Sequence, residues 1–218
     1  MDISHTGQNQ FECRRCGTCC RKGGPALHDA DARLVAQKSI PPADLYTIRA
    51  GERVRDNING GLIYTDAEII KIRSVPASAA CLFFRDSENA CGIYDHRPSE
   101  CRAMQCRDTT AIVGMHARNR LCRKDLFGDI GWLWEIIEAH ESECGFEKIN
   151  RLIEQRRGGD FSASRQLSER IAYDRAIRDL SVEKAGLGKG MLDLVFGLPL
   201  ERVLQDRYGV KIRKNDPF

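Results

Sequence analysis

Apolar positions are spread unevenly along this 218-residue chain. Residues 1–66 carry them in short pieces broken by Gly, Pro, Asn and charge, and the long apolar patterns lie mainly after Asp129. In the first half the pattern predicts only small elements. Asp29 to Lys38 reads as a short helix capped by His28 or Asp29, stopped by Pro41-Pro42, with Pro42 opening a second short helix through Leu45. Val54 to Tyr64 reads as a hairpin turning at Asn59-Gly60, and Glu68 to Arg73 alternates as a strand. Cys81 to Phe84 and Cys91 to Tyr94 read as two short strands joined through D-S-E-N, and Pro98 suits the first turn of a helix that carries Cys101 toward Met104.

The second half is helical in pattern. Ile130 to Glu143 sets Trp132, Trp134, Ile136, Ile137 and Ala139 among acids, and Phe146 to Arg157 puts Phe146, Ile149, Leu152 and Ile153 on one stripe until Gly158-Gly159. Ser162 to Lys184 forms a long amphipathic helix with Leu167, Ile171, Ile177 and Leu180 at helical spacing, stopped at Gly186. Pro199 opens a last helix to Tyr208, closed by Gly209, and Val210 to Arg213 reads as a strand. The expected fold class is therefore α+β and mostly helical. An irregular Cys-rich metal-binding region with short strands (residues 11–128) is joined to a helical C-terminal region (residues 129–218) that packs with it as one unit and supplies most of the apolar core.

Charge changes this picture little. The net charge is +3; residues 1–145 carry 19 Lys/Arg against 20 Asp/Glu, and residues 146–218 carry 15 against 11. No aromatic–basic interleaving accompanies the mildly basic end, so a solvated helix surface is expected there rather than a nucleic-acid interface. No apolar run approaches the ~20 residues of a membrane span. The first ten residues, M-D-I-S-H-T-G-Q-N-Q, lack the basic and apolar regions of a signal peptide. A cytoplasmic protein with reduced thiols is the expectation, and structural disulfides are not expected.

The chemistry concentrates in cysteine. Of ten cysteines, Cys13, Cys16, Cys19 and Cys20 fall within eight residues, in F-E-C-R-R-C-G-T-C-C. Clustered thiols oxidise or bind a soft or borderline metal as thiolates. Cys13-x2-Cys16-x2-Cys19 is the run with which bacterial ferredoxins hold an iron–sulfur cluster, although the following x3-C-P is missing. Cys13-x2-Cys16-Gly17 is equally the arm of a zinc knuckle. A second group, Cys81, Cys91, Cys101 and Cys106, repeats the Cys-Gly pairing at Cys91-Gly92, where glycine allows a tight turn that points N–H groups at sulfur. Cys101 is expected at a helix N-terminus, which favours its thiolate. Arg14, Arg15, Arg21, Lys22, Arg97, Arg102 and Arg107 would offset thiolate charge, and Phe11, Phe83, Phe84 and Tyr94 would shield the site. Cys19 and Cys20 are neighbours whose side chains diverge in an extended chain, so they more naturally serve two sites than one.

These elements, F-x-C-x-x-C-G-x-C-C, then C-x-F-F, then C-x-I-Y-x-x-R-P-x-x-C-R, closely resemble the CxxCxxCC (YkgJ-like) cysteine-cluster family, a zinc- or iron-chelating domain. The resemblance spans residues 11–107 and implies metal ligation by Cys13, Cys16, Cys19, Cys20, Cys81, Cys91, Cys101 and Cys106. The implied cofactor is an iron–sulfur cluster, 4Fe–4S in form, or zinc. Some flagellin lysine N-methylases are similar in carrying a related cluster, but no residue beyond the thiols matches them.

Three functions follow as expectations: an iron–sulfur or zinc protein with an electron-transfer or redox-sensing role, a zinc-stabilised module that binds a protein partner, and a metal-dependent protein-modifying enzyme. The last is the least favoured. Cys122 and Cys144 lie outside the pattern and read as small packing residues. His96 reads as a surface or supporting residue. His5, His28, His116 and His140 have no partner spacing, and Gly186-x-Gly188-x-Gly190 is a helix stop rather than a phosphate loop.

Overall fold

Short elements fill the first half and long helices the second in the computed structural model, which describes Cys13 and residues 15–210. A 3-10 turn at Asp29–Asp31 runs into α1 (Ala32–Ala36). His28 precedes it as the cap: its N–H donates to the Asp31 carboxylate at 3.0 Å. A 3-10 turn at Pro42–Asp44 then leads into β1 (Leu45–Ile48). The second short helix expected through Leu45 thus ends one residue earlier, and a strand follows. Leu45, Thr47 and Ile48 are all buried, which removes the alternation that marks a half-exposed strand.

The expected hairpin is β2 (Arg53–Arg55) paired antiparallel with β3 (Leu62–Tyr64). Its connection is the longer loop of residues 56–61, and the positive φ falls on Gly60 and Gly61. Asp56 organises that loop by accepting N–H bonds from Ile58 and Asn59. β4 (Ile69–Ile72) returns to pair antiparallel with β1, from Leu45–Ile72 to Ile48–Ile69. The segment before α1 lies along the other edge of β4, with Leu27 N–H bonded to the Ile70 carbonyl and Ile72 N–H to that of Pro25. Gly24 permits this approach, because a Cβ there would stand 2.2 Å from the Ile72 carbonyl oxygen.

Next come the two-residue strands β5 (Phe84–Arg85) and β6 (Ala90–Cys91), paired with each other, and α2 (Ser99–Ala103). The expected strands at 81–84 and 91–94 are shorter and shifted toward their turn; Tyr94–His96 is a 3-10 turn instead. Short helices α3 (Thr110–Met115) and α4 (Arg123–Phe127) lead to the long ones. α5 (Gly131–Cys144), α6 (Phe146–Arg157) and α7 (Phe161–Glu183) agree with the periodicity to within a residue or so, and α8 (Leu192–Phe196) and α9 (Leu200–Tyr208) follow. The strand expected at Val210–Arg213 falls largely outside the described residues. No helix among those described is long and apolar enough to cross a membrane.

Two apolar cores result. One gathers Leu27, Ile40, Leu45, Ile70 and Ile72 with Cys81 and Phe84, and receives Leu133 and Ile137 from α5 and Leu194 to Phe196 from α8. The other is all helical, with Phe146, Ile149, Ile153, Leu167, Ile171, Val203 and Leu204. Arg123 ties the halves together. Its guanidinium donates to Glu68 at 2.6 Å, to Glu141 on α5 at 2.9 Å and to the Val195 carbonyl on α8 at 2.8 Å. Such a buried arginine is tolerable because every direction it faces holds an acceptor.

The buried face of α7 departs from the expected stripe. Leu180 is 52% exposed, while Asp174 and Arg178 are buried. Asp174 accepts from His140 Nε2 at 2.8 Å, from Arg178 Nε at 3.0 Å and from Leu200 N–H at 3.0 Å, the last of these at the start of α9. A polar network therefore occupies the place that the sequence pattern assigns to leucine.

Candidate metal centre

Four stretches of chain carry the eight thiols, and main-chain bonds bring them together. After the Cys13–Cys20 loop a 3-10 turn spans Cys20–Lys22, and the Cys20 carbonyl accepts the Cys81 N–H at 2.7 Å. Cys81 is held from its other side by a bridge to Ser74, which continues β4. Phe84 N–H then bonds the Cys81 carbonyl at 2.9 Å, and Phe84 pairs across the β5–β6 ribbon with Cys91. Cys81 and Cys91 are thereby fixed on one small turn structure, beside Cys20.

Cys101 arrives on α2, which is clipped to the segment before α1. Ser99 donates both its N–H and its hydroxyl to Asp31, at 2.9 and 2.8 Å, and Glu100 accepts the Ala26 N–H at 2.7 Å. His28 supports the same junction, with Nδ1 2.8 Å from the Arg118 carbonyl and Nε2 3.5 Å from Glu100. Asp31, Glu100 and His28 are positioning residues that thiol spacing does not reveal, although a histidine before an acidic turn is a capping signal.

The loop is held from the β5–β6 turn. Asn89 has a left-handed backbone (φ 48°) and donates to the Arg15 carbonyl at 2.6 Å, while Arg21 reaches Asp86 at 2.8 Å and Asn89 at 3.1 Å. Asn in a D-S-E-N turn is the residue type that tolerates this conformation. Gly17 has φ 73°, and a Cβ there would meet Phe84, Asn89 and Arg21 atoms at 2.6 Å, so glycine is required for both backbone and space. Gly92 has a different task from the one expected. Its N–H is committed to the Phe83 carbonyl at 2.8 Å rather than aimed at sulfur.

The thiols differ in depth. Cys81 is buried, Cys13, Cys20, Cys91 and Cys101 are half-buried, and Cys16, Cys19 and Cys106 are exposed. Hydrogen bonds from Thr18, whose hydroxyl lies 3.4 Å from the Cys16 sulfur, hold the Cys16 thiol below its ordinary pKa, and contact with Cys106 acts the same way. The other shifts run upward. Desolvation raises Cys106, with Cys16, Cys19 and Cys13 adding to the rise. Burial pushes Cys20 up to about 12, aided by Cys19, Cys91 and Cys81. Burial also raises Cys81, with Cys91 and Cys19 contributing.

Cys101 is raised as well. Burial is the main cause, and Cys81, Cys91, Cys20 and Cys19 reinforce it. The expected thiolate-favouring helix N-terminus is overridden, since a five-residue helix has little dipole to set against desolvation and neighbouring sulfurs. The mutual repulsion of these thiolates is what a bound cation would relieve.

The expected shield and counter-charge are partly present as stacked pairs. Arg21 lies over Phe84 at 4.8 Å, and Arg15 and Arg97 lie over Tyr94 at 4.2 and 3.6 Å. Phe11 and Arg14 lie outside the described residues. Cys122 and Cys144 stand apart from the eight. Cys122 caps α4 and its N–H donates to Asp125 at 2.8 Å, while Cys144 is buried against the Arg170 carbonyl. His96 is exposed.

A donor set of thiols alone suits zinc or iron rather than a hard cation. Among the described residues no three Cys, His, Asp or Glu side chains stand close enough to enclose an ion. The thiols converge in one region without being drawn to ligand distance. The family model CxxCxxCC, described as "Putative zinc- or iron-chelating domain", matches residues 12–123, about half of the chain. No curated protein and no solved structure matches it.

Proposed function

This chain belongs to the CxxCxxCC family of zinc- or iron-chelating domains, and on that premise we propose that thiolates of Cys13, Cys16, Cys19, Cys20, Cys81, Cys91, Cys101 and Cys106 hold the metal. The favoured form is iron–sulfur, of 4Fe–4S type, serving electron transfer or redox sensing in a cytoplasmic protein. One observation carries the reading. Cys20 and Cys81 share a main-chain hydrogen bond across sixty residues of sequence, which sets one thiol of the first group beside one of the second. Buried and half-buried sulfurs gathered without disulfides have few chemical uses other than a metal.

When bound, such a centre supplies one-electron chemistry if it is iron–sulfur and a structural cross-link if it is zinc. The chain's own residues orient the sulfurs and limit solvent. Phe84 and Tyr94 cover the site, while Arg15, Arg21 and Arg97 balance its charge. The second reading, a zinc-stabilised module that presents a surface to a protein partner, is favoured by the meagre local structure of the region, whose strands are two to four residues long. Zn²⁺ is d¹⁰ and colourless. Anaerobically purified protein with a broad visible absorbance and matched iron and sulfide supports the favoured form. Colourless protein containing zinc supports the second. Protein that takes up neither metal after reconstitution overturns both.

A further inference from the structure

We infer that the eight thiols form two metal sites of four: an inner one of Cys20, Cys81, Cys91 and Cys101, and an outer one of Cys13, Cys16, Cys19 and Cys106. The division rests on the metal-chelating reading above and adds what the family description leaves open, the number of sites and the owner of each sulfur.

Depth separates the two sets first. The inner four are buried or half-buried, whereas three of the outer four are exposed. Connectivity separates them next. Cys20 is bonded through its carbonyl to Cys81, and Cys81 is bonded to Phe84, the partner of Cys91 across the ribbon. These three belong to one backbone network, to which α2 brings Cys101. Cys106 follows the end of α2 and is exposed like Cys16 and Cys19, and its thiol lies beside that of Cys16, ninety positions away. The neighbourhoods agree. The sulfurs that act on Cys101 are Cys81, Cys91, Cys20 and, last, Cys19, whereas those that act on Cys106 are Cys16, Cys19 and Cys13.

Cys19 sits on the seam. Its thiol contacts that of Cys20 and it also neighbours Cys106, so the sites abut there. Cys19 leads into the 3-10 turn at Cys20, where successive side chains point about a third of a turn apart, so one dipeptide reaches both sites. Four thiolates are the full complement of a structural zinc ion and of a cubane cluster alike, so the partition holds for either metal. The outer site faces solvent and the inner one lies over the apolar core, so the outer metal exchanges first.

Metal content by elemental analysis and native mass spectrometry tests this on the full chain. Two zinc ions or two clusters are expected per wild-type chain, and half that content in Cys16→Ser and in Cys106→Ser. Because an inner-site variant risks misfolding, the second arm uses wild-type protein. A chelator is added with an alkylating agent, and labelled cysteines are assigned by fragmentation. Cys13, Cys16, Cys19 and Cys106 should label as an early group and Cys20, Cys81, Cys91 and Cys101 as a late one. One zinc ion or one cluster per chain, complete metal loss in Cys106→Ser, or labelling of all eight thiols in a single phase overturns the partition while leaving metal chelation intact. Wild-type protein that binds no metal overturns both.

Discussion

The region of the thiols and the helices that follow Asp129 solve the same problem by different means. From Cys13 to Arg107 the segments that carry the thiols are held by main-chain bonds, such as Cys20 to Cys81 and Gly92 to Phe83, while the buried apolar residues of this stretch lie mostly between them, in Leu27, Leu34, Val35, Ile40 and the β1–β4 ribbon. From α5 to α9 the chain buries Phe146, Ile149, Leu167, Ile171, Val203 and Leu204 against one another and threads the polar network of His140, Asp174 and Arg178 between them. Ordering a residue costs about 1–2 kcal/mol in backbone entropy. The helices meet that cost through burial. The segments that carry the thiols have little to bury, and a metal cross-link is the term that completes them.

Stripping the metal breaks this contrast most severely. Structural zinc contributes roughly 10–16 kcal/mol of apparent folding energy in small peptides. In the chelated protein, hydrogen exchange should accelerate in residues 15–19 and 85–107 while the Cys81 amide, the β1–β4 ribbon and α6, α7 and α9 stay protected. Uniform acceleration would show that the helices also depend on the centre. Asp174→Ala attacks the other side. It leaves His140 Nε2 and Arg178 Nε without their acceptor, although the Arg178 terminal nitrogens keep the Gly197 carbonyl and Asp193, and it leaves the first N–H of α9 unbonded; loss of one partner in a buried pair costs about 3–5 kcal/mol. Thermal unfolding should fall accordingly, with metal content unchanged.

Acid sharpens the same distinction more gently. Asp174 has a pKa lowered to about 2, against the ordinary 3.8, because hydrogen bonding to His140 and the charge of Arg178 outweigh its burial. Its contribution is full above about pH 4 and is lost as pH falls through 2, a loss on the order of 2 kcal/mol. His140 is held below its ordinary pKa by burial, so it too destabilises the fold when protonated at low pH. Exchange in α7 should quicken over this range, and Asp174→Asn should flatten the dependence. The smallest effect belongs to Cys122→Ser. Serine caps a helix at least as well as the thiol does, so stability should move by no more than about 0.5 kcal/mol and metal content not at all. Metal loss there would add Cys122 to the ligands.

What the sequence reveals depends on how far apart the partners lie. α6 is legible because Phe146, Ile149, Leu152 and Ile153 recur at helical spacing, and all four are buried. Membership of the zinc- or iron-chelating family is legible because the spacing of the cysteines is chemical rather than conformational. β1 is illegible because its partner β4 is supplied two dozen residues later and α8 later still, and Thr47 is buried only by donating its hydroxyl to the Leu194 carbonyl. The α7 stripe misleads at Leu180 because Asp174 finds His140 thirty-four residues upstream, a match that no local window contains. The posts that steady the thiol loop, Asn89 and Asp31, are ordinary turn and cap residues until the fold hands them a partner.

The bond between the Cys20 carbonyl and the Cys81 amide uses no sulfur. Neither oxidation nor chelation can sever it directly, and a serine in place of either cysteine would leave it standing. A chain that loses its metal therefore keeps two of the eight sulfurs in register. The search through the sixty intervening residues, whose entropy grows only as the logarithm of loop length, need not be repeated. Emptied, the site is built to be refilled rather than refolded.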